Sequence, residues 1–86
     1  MKYKLVLVEW VDSIVPHNRW EDLDAYPNDG EGALCQSVGW LVKDNEKIKV
    51  LSQSICTYTK GGDPETGLGF LTIPTVSVLR IKERTE

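Results

Sequence analysis

The sequence predicts an all-β fold, a single small barrel of five strands. Short segments rich in Val, Ile, Leu and Trp alternate with polar turns. No long segment has a helical period, and 86 residues with 41% hydrophobic residues suffice for one core only. Because closing a sheet removes its exposed edges, five short strands without a helix indicate a closed or partly closed barrel. One domain therefore spans residues 1–86.

The first predicted strand covers residues 2–11. Its alternate residues form two faces, Lys4, Val6, Val8 and Trp10 on one and Tyr3, Leu5, Leu7 and Val11 on the other. Both faces are largely apolar, which is typical of a central strand or of one folded over at a barrel corner.

A long loop, residues 12–33, follows strand one. Asn18 is placed to N-cap a single helical turn that ends near Leu23. Trp20, Leu23 and Tyr26 recur at intervals of three residues and are expected to pack this loop onto the barrel end. Residues 21–31 of this loop are strongly acidic, with Glu21, Asp22, Asp24, Asp29 and Glu31 and no Lys or Arg among the eleven residues.

Residues 34–43 and 47–56 predict a β-hairpin around a turn centred on Asn45-Glu46. This turn predicts three cross-strand pairs: Trp40 with Leu51, Leu41 with Val50, and Cys35 with Cys56. We expect Trp40 in the core, and Gly39 predicts a bulge or bend.

The cysteines are predicted to be neighbouring free thiols. No targeting segment is visible, because Glu9 interrupts the apolar run Leu5–Val8. The sequence therefore predicts a cytoplasmic protein, in a compartment that keeps Cys35 and Cys56 reduced.

The last third of the chain contains a loop and two more strands. Four glycines and a proline mark a loop over residues 58–69, and strand four covers residues 70–73. Pro74 ends strand four because it lacks an amide hydrogen. Strand five covers residues 76–81, and a charged tail follows.

No catalytic or metal-binding pattern is present in the sequence. His17 is the only histidine, Cys35 and Cys56 lack metal-ligand spacing, and the glycine-rich loop lacks the GK[ST] ending of a phosphate-binding loop. Ser13 and His17 lie on a loop with nothing to fix a catalytic triad. We therefore predict a non-enzymatic protein without metal or cofactor.

Aromatic residues flanked by carboxylates predict a partner-binding surface. Its candidate residues are Trp10, Asp12, Trp20, Glu21, Asp22 and Tyr26. Such a surface suits an arginine-bearing or proline-containing peptide. In the alternative interpretation, the carboxylates only solubilise the rim around buried indoles.

Two other roles compete with protein binding. Related five-stranded barrels bind oligonucleotides, and Lys43, Lys49 and Arg80 would have to gather into the basic patch that this requires. The formal net charge of −3 and the scattered basic residues disfavour nucleic-acid binding. A structural or assembly subunit is the third possibility.

One longer pattern resembles a known group of proteins. It comprises Trp10 to Ser13, Ser37 to Val42, Val50 to Ser54, and Ile73-Pro74. Together these residues resemble small uncharacterised bacteriophage and prophage proteins with a W-D-S … S-V-G-W-L … V-L-S … I-P pattern. The resemblance implies an SH3-like five-stranded barrel in the cytoplasm of an infected bacterium. It implies no activity and no catalytic residue.

Overall fold

The computed structural model describes residues 2–12, Trp20 and residues 32–84. Five strands are present: β1 (Lys4–Asp12), β2 (Ala33–Asp44), β3 (Ile48–Cys56), β4 (Thr66–Pro74) and β5 (Val78–Glu83). A three-residue 3₁₀ turn, Thr75–Ser77, precedes β5. The all-β prediction is confirmed, and β5 begins two residues later than predicted because of this turn.

The five strands form one antiparallel sheet in the order β4-β3-β2-β1-β5. Since the last strand returns to pair with the first, β1 has neighbours on both sides, as its two apolar faces predicted. Strands β4 and β5 are the edges. Within the described ranges no pairing between these two edges closes the sheet into a barrel.

The β2–β3 register differs from the predicted one. Trp40 pairs with Ser52 and Leu41 with Leu51, so the predicted Trp40–Leu51 and Leu41–Val50 pairs are wrong. The reason lies in the turn, where Asn45 Oδ1 accepts the backbone N–H groups of Lys47 and Ile48 at 2.9 Å. The Asn45 N–H also donates to the Ile48 carbonyl at 3.0 Å, so the turn is centred on Glu46-Lys47 and the predicted centre on Asn45-Glu46 is wrong; this displacement shifts every pair.

Strand β2 pairs mainly with β1, over an unbroken register from Lys4–Leu41 to Asp12–Ala33. Its register with β3 ends at Trp40 and Ser52. Cys35 therefore pairs with Trp10 in β1, and Cys56 pairs with Thr66 in β4. Both thiols are free, as predicted, but the predicted Cys35–Cys56 pair is wrong.

The core is built on one face of the sheet. Its buried hydrophobic residues are Val6, Val8, Trp10, Leu51 and Ile73. The core tryptophan is thus Trp10, whose Nε1–H donates to Ser37 Oγ at 3.0 Å. Trp40 is only partly buried and belongs to the opposite face, so its predicted place in the core is wrong.

The sheet is curved around this core. Val8 of β1 and Ile73 of β4 are both fully buried in one cluster, although β3 and β2 lie between their strands. In a flat sheet three strand spacings would separate β1 from β4 by about 14 Å. Curvature brings their core faces together. At the predicted bend, a Cβ on Gly39 would lie 3.0 Å from the Ser52 carbonyl oxygen.

Strand β4 begins at Thr66, so the glycine-rich loop predicted over residues 58–69 is too long; Gly69 lies within the strand. Its φ of 72° is a left-handed conformation that favours glycine. Next to it the buried Ser52 donates its hydroxyl to the Ser54 carbonyl at 2.7 Å and accepts the Leu68 N–H at 3.2 Å. The strand ends at Pro74, where a stop was predicted.

Candidate functional site

The structure does not assemble the predicted partner-binding residues into one surface. Trp10 is only 8% exposed and its indole N–H is already bonded, so burial removes it from the accessible surface. This is the alternative interpretation that the sequence left open. Asp12 is exposed at the end of β1. Trp20 is fully exposed, so its predicted packing onto the barrel end is wrong, and Leu23 lies outside the described residues. The remaining predicted residues, Glu21, Asp22 and Tyr26, lie outside the described residues.

The face of β1 and β2 opposite the core carries an apolar surface. Because neighbouring residues of a strand point to opposite faces, the burial of Val6, Val8 and Trp10 places the odd-numbered residues of β1 outside. The unbroken β1–β2 register then defines three outer pairs, which we call the outer strip: Leu5 with Trp40, Leu7 with Val38, and Val11 with Leu34.

The outer strip is accessible in the structure. Leu34 is 69% exposed and Val38 is 60% exposed, while the other four residues are half-buried. The Trp40 indole N–H makes no hydrogen bond within the described ranges. Because no buried side-chain nitrogen or oxygen there is unpaired, this unpaired N–H is not buried. Trp40 therefore offers an apolar ring and an open donor on the same surface.

Charged residues divide and border the outer strip. Glu9 pairs with Gln36 between the second and third apolar pairs, and it forms an ion pair with Arg80 of the neighbouring β5. Lys82 lies beside Leu7 in the β1–β5 register. An apolar centre with a polar, hydrogen-bonding border is the usual anatomy of a protein-binding surface.

A separate concave region lies at the Lys4 end of β1. It has a volume of about 540 Å³, with Lys2, Lys4 and Lys43 at its edge and Val6, Leu41 and Ile81 in its walls. Its two carboxylates are engaged, Glu83 with Lys4 and Asp44 with Lys49. Lys2 lies over the Tyr3 ring, with 5.5 Å between its Nζ and the ring centroid.

The basic patch considered for nucleic-acid binding is dispersed in the folded chain. Arg80 lies opposite Glu9 and is ion-paired to it. Lys43 lies near the other end of the sheet. Leu41, two residues before it in β2, pairs with Lys4, and Lys4 is five residues from Glu9 along β1. At about 3.3 Å per residue this separates Arg80 from Lys43 by more than 15 Å along the sheet.

Nothing in the described ranges indicates a metal centre or a membrane-spanning helix. No group of three or more His, Cys, Asp or Glu residues there is arranged to hold a metal ion. None of the helical structure described is long and apolar enough to cross a bilayer.

Comparison of the chain with protein-family models, curated proteins and solved structures gave no match.

Sequence reasoning found half of the outer strip. The alternation in β1 placed Leu5, Leu7 and Val11 on one face, and the structure shows that this face lies opposite the core. Its other half on β2 was missed because Trp40 was assigned to the core. The usable signal was the matching alternation of Leu34, Val38 and Trp40 along β2.

Proposed function

We propose that this chain is a non-enzymatic protein-binding module and that the outer strip is its contact surface. The exposure of the apolar strip on β1 and β2 carries this proposal. Within the described residues, eight large hydrophobic side chains are at least 60% exposed, against five buried hydrophobic residues. Exposed apolar patches on so small a domain are typical of surfaces that a partner covers.

The outer strip suits this role better than the other exposed apolar residues. Tyr58 and Val76 lie in connections, whereas the strip lies on the two strands whose register is longest and unbroken. Contact residues on rigid strands lose little entropy when a partner binds. Tryptophan is also strongly enriched among residues that dominate binding energy, and Trp40 lies within the strip.

The partner proposed is a protein that presents apolar side chains and a hydrogen-bond acceptor for the Trp40 indole. Lys82 and the Arg80–Glu9 ion pair at the border would contact its polar rim. The resemblance to bacteriophage and prophage proteins supports a phage origin and a host or phage protein as this partner. The predicted binding of an arginine-bearing or proline-containing peptide by the segment around Trp20 stays a prediction.

We further propose that the sheet belongs to the SH3-like barrels. The return of β5 to β1, the short 3₁₀ turn before β5 and the curvature that joins Val8 to Ile73 support this assignment. Register shifts in β1 and β2, which allow strands to bend sharply, support it as well. In such a curved sheet the core face lies inside and the outer strip lies on the convex side.

Placing a charge in the outer strip is expected to abolish partner capture. Val38→Lys puts an ammonium group where the proposed interface excludes water, so recovery of a specific protein from bacterial lysate should fall at least tenfold. The matched control is Val76→Lys, which charges a side chain that is 93% exposed in the 3₁₀ turn. Recovery is measured by mass spectrometry after confirming that circular dichroism is unchanged.

The outcome of this comparison separates the proposed surfaces. We expect loss with Val38→Lys and full recovery with Val76→Lys. Equal recovery by all three chains would contradict the outer strip. If only Trp20→Ala combined with Glu21→Lys and Asp22→Lys reduced recovery, the acidic segment and not the strip would be the contact surface.

A further inference from the structure

The edge strand β4 is unusual because it is both exposed and uncharged. Its nine residues, Thr66–Pro74, include no Asp, Glu, Lys or Arg. The opposite edge strand β5 carries Arg80, Lys82 and Glu83 within six residues. Charges on an edge prevent unwanted pairing with another strand, so β5 is protected in this way and β4 is not.

The backbone of β4 offers free hydrogen-bonding groups at alternate residues. The Thr75 N–H donates to the Lys47 carbonyl at 3.0 Å, directly beyond the Ile48–Pro74 pair. In an antiparallel ladder, alternate residues bond to the same neighbour. Leu71 and Ile73 therefore bond toward β3, which leaves the N–H and C=O groups of Phe70 and Thr72 directed away from it.

Gly69 and Pro74 limit the free edge at its two ends. At Gly69, where φ is 72°, the β3–β4 register continues without a shift, but the regular pairing is interrupted because the Leu68 N–H donates to Ser52 Oγ at 3.2 Å. Pro74 has no N–H to donate. Between these two ends, the backbone groups of Phe70 and Thr72 are free to pair with another strand. The Phe70 side chain is 61% exposed. Within the described ranges no strand pairs with this edge of β4.

We propose that a second copy of this chain pairs with the free edge of β4. In a two-fold antiparallel arrangement centred on Leu71, Phe70 of each copy lies opposite Thr72 of the other. The outward N–H and C=O groups of these residues then form four backbone hydrogen bonds across the dimer axis. The two sheets join into one sheet of ten strands.

Symmetry favours a second copy, and the absence of charge on β4 makes this strand the place where two copies can meet. The formal net charge is −3, so two copies repel each other over most of their surfaces, and an uncharged strand is the place where they approach without repulsion. The two outward residues also match themselves under a two-fold axis, which an isologous interface requires. The interface is small, so the dimer is weak and depends on concentration.

Sedimentation velocity of the full chain tests this proposal. The wild type should change from monomer to dimer between about 10 μM and about 1 mM, the range expected for a small interface. Thr72→Pro removes an outward donor without removing a β3–β4 hydrogen bond, and it should leave a monomer throughout. Thr72→Lys, which charges the same edge, is the second variant if the proline variant does not fold.

Two control variants identify the surface. Leu79→Lys charges the opposite edge strand, and Val38→Lys charges the outer strip; both should dimerise like the wild type. A wild type that stays monomeric at every concentration would overturn the proposal. So would a dimer that persists in both Thr72 variants or that is lost in either control. Because the outer strip is a different surface, failure here leaves the proposed protein-binding function standing.

Discussion

Replacing Trp10 with alanine is expected to lower the free energy of unfolding by about 3–5 kcal/mol. The side chain is 8% exposed in the core cluster, and its indole N–H donates to Ser37 Oγ. The substitution leaves a large cavity and removes the donor. Small domains have a total stability near the lower end of about 5–15 kcal/mol. The Trp10→Ala chain should therefore be substantially unfolded at 37 °C.

Trp20→Ala is the matched control, because Trp20 is fully exposed. Its free energy of unfolding should stay within about 0.5 kcal/mol of the wild type. Urea unfolding followed by circular dichroism measures both variants without relying on the fluorescence of the replaced indoles. Similar losses in the two variants would contradict the assignment of Trp10 to the core.

The second large effect is expected at Ile73. It is fully buried in β4, so Ile73→Ala should cost about 2–5 kcal/mol. If the sheet curves as described, Ile73 and Val8 share one core, and their substitutions should not be additive. We expect a coupling energy of about 0.5–3 kcal/mol between Ile73→Val and Val8→Ala.

Leu34 supplies the control for this coupling, because it is 69% exposed on the outer strip. Combined with Ile73→Val, Leu34→Ala should be additive within about 0.5 kcal/mol. The two double-mutant cycles are measured by urea unfolding. Additivity of Ile73→Val with Val8→Ala would mean that β1 and β4 do not meet across the core, as in a flat sheet.

Local sequence features were sufficient to predict that five strands form, although β4 begins four residues earlier and β5 two residues later than predicted. Alternation along β1 grouped Val6, Val8 and Trp10 on one face, and its two apolar faces predicted a central strand or one at a barrel corner; β1 has a neighbour on each side. Pro74 ended β4 for a covalent reason, the absence of an N–H. Such features depend on neighbouring residues only, so they can be predicted without knowledge of the tertiary structure.

Register was harder to predict because it depends on atoms that a residue pattern does not specify. The two hydrogen bonds accepted by Asn45 Oδ1 stabilise a β2–β3 turn centred on Glu46-Lys47, one residue later than predicted. The irregularity between Leu41 and Lys43 then shifts the pairs again. A displacement of one residue was enough to remove the predicted Trp40–Leu51 pair and, with it, the argument for Trp40 as a core residue.

The outer strip required a long-range pairing that local patterns do not encode. Strands β1 and β2 are separated by residues 13–32, yet their register opposes Leu5 to Trp40 and Leu7 to Val38. The sequence predicts Trp40 in the core and Trp10 among the partner-binding residues, and the structure reverses both assignments. Only the relative position of the two strands decides that one tryptophan is buried and the other lies on the outer face.

The indole N–H resonances of the three tryptophans provide the most direct test of the outer strip. The ¹⁵N-labelled chain is titrated with the protein captured from lysate, and the resonances are assigned by Trp→Phe substitution. We expect the Trp40 resonance to shift on binding, while the resonance of the buried Trp10 stays in place. A shift confined to Trp20, or a Trp40 resonance unchanged at saturation, would contradict the outer strip as the contact surface.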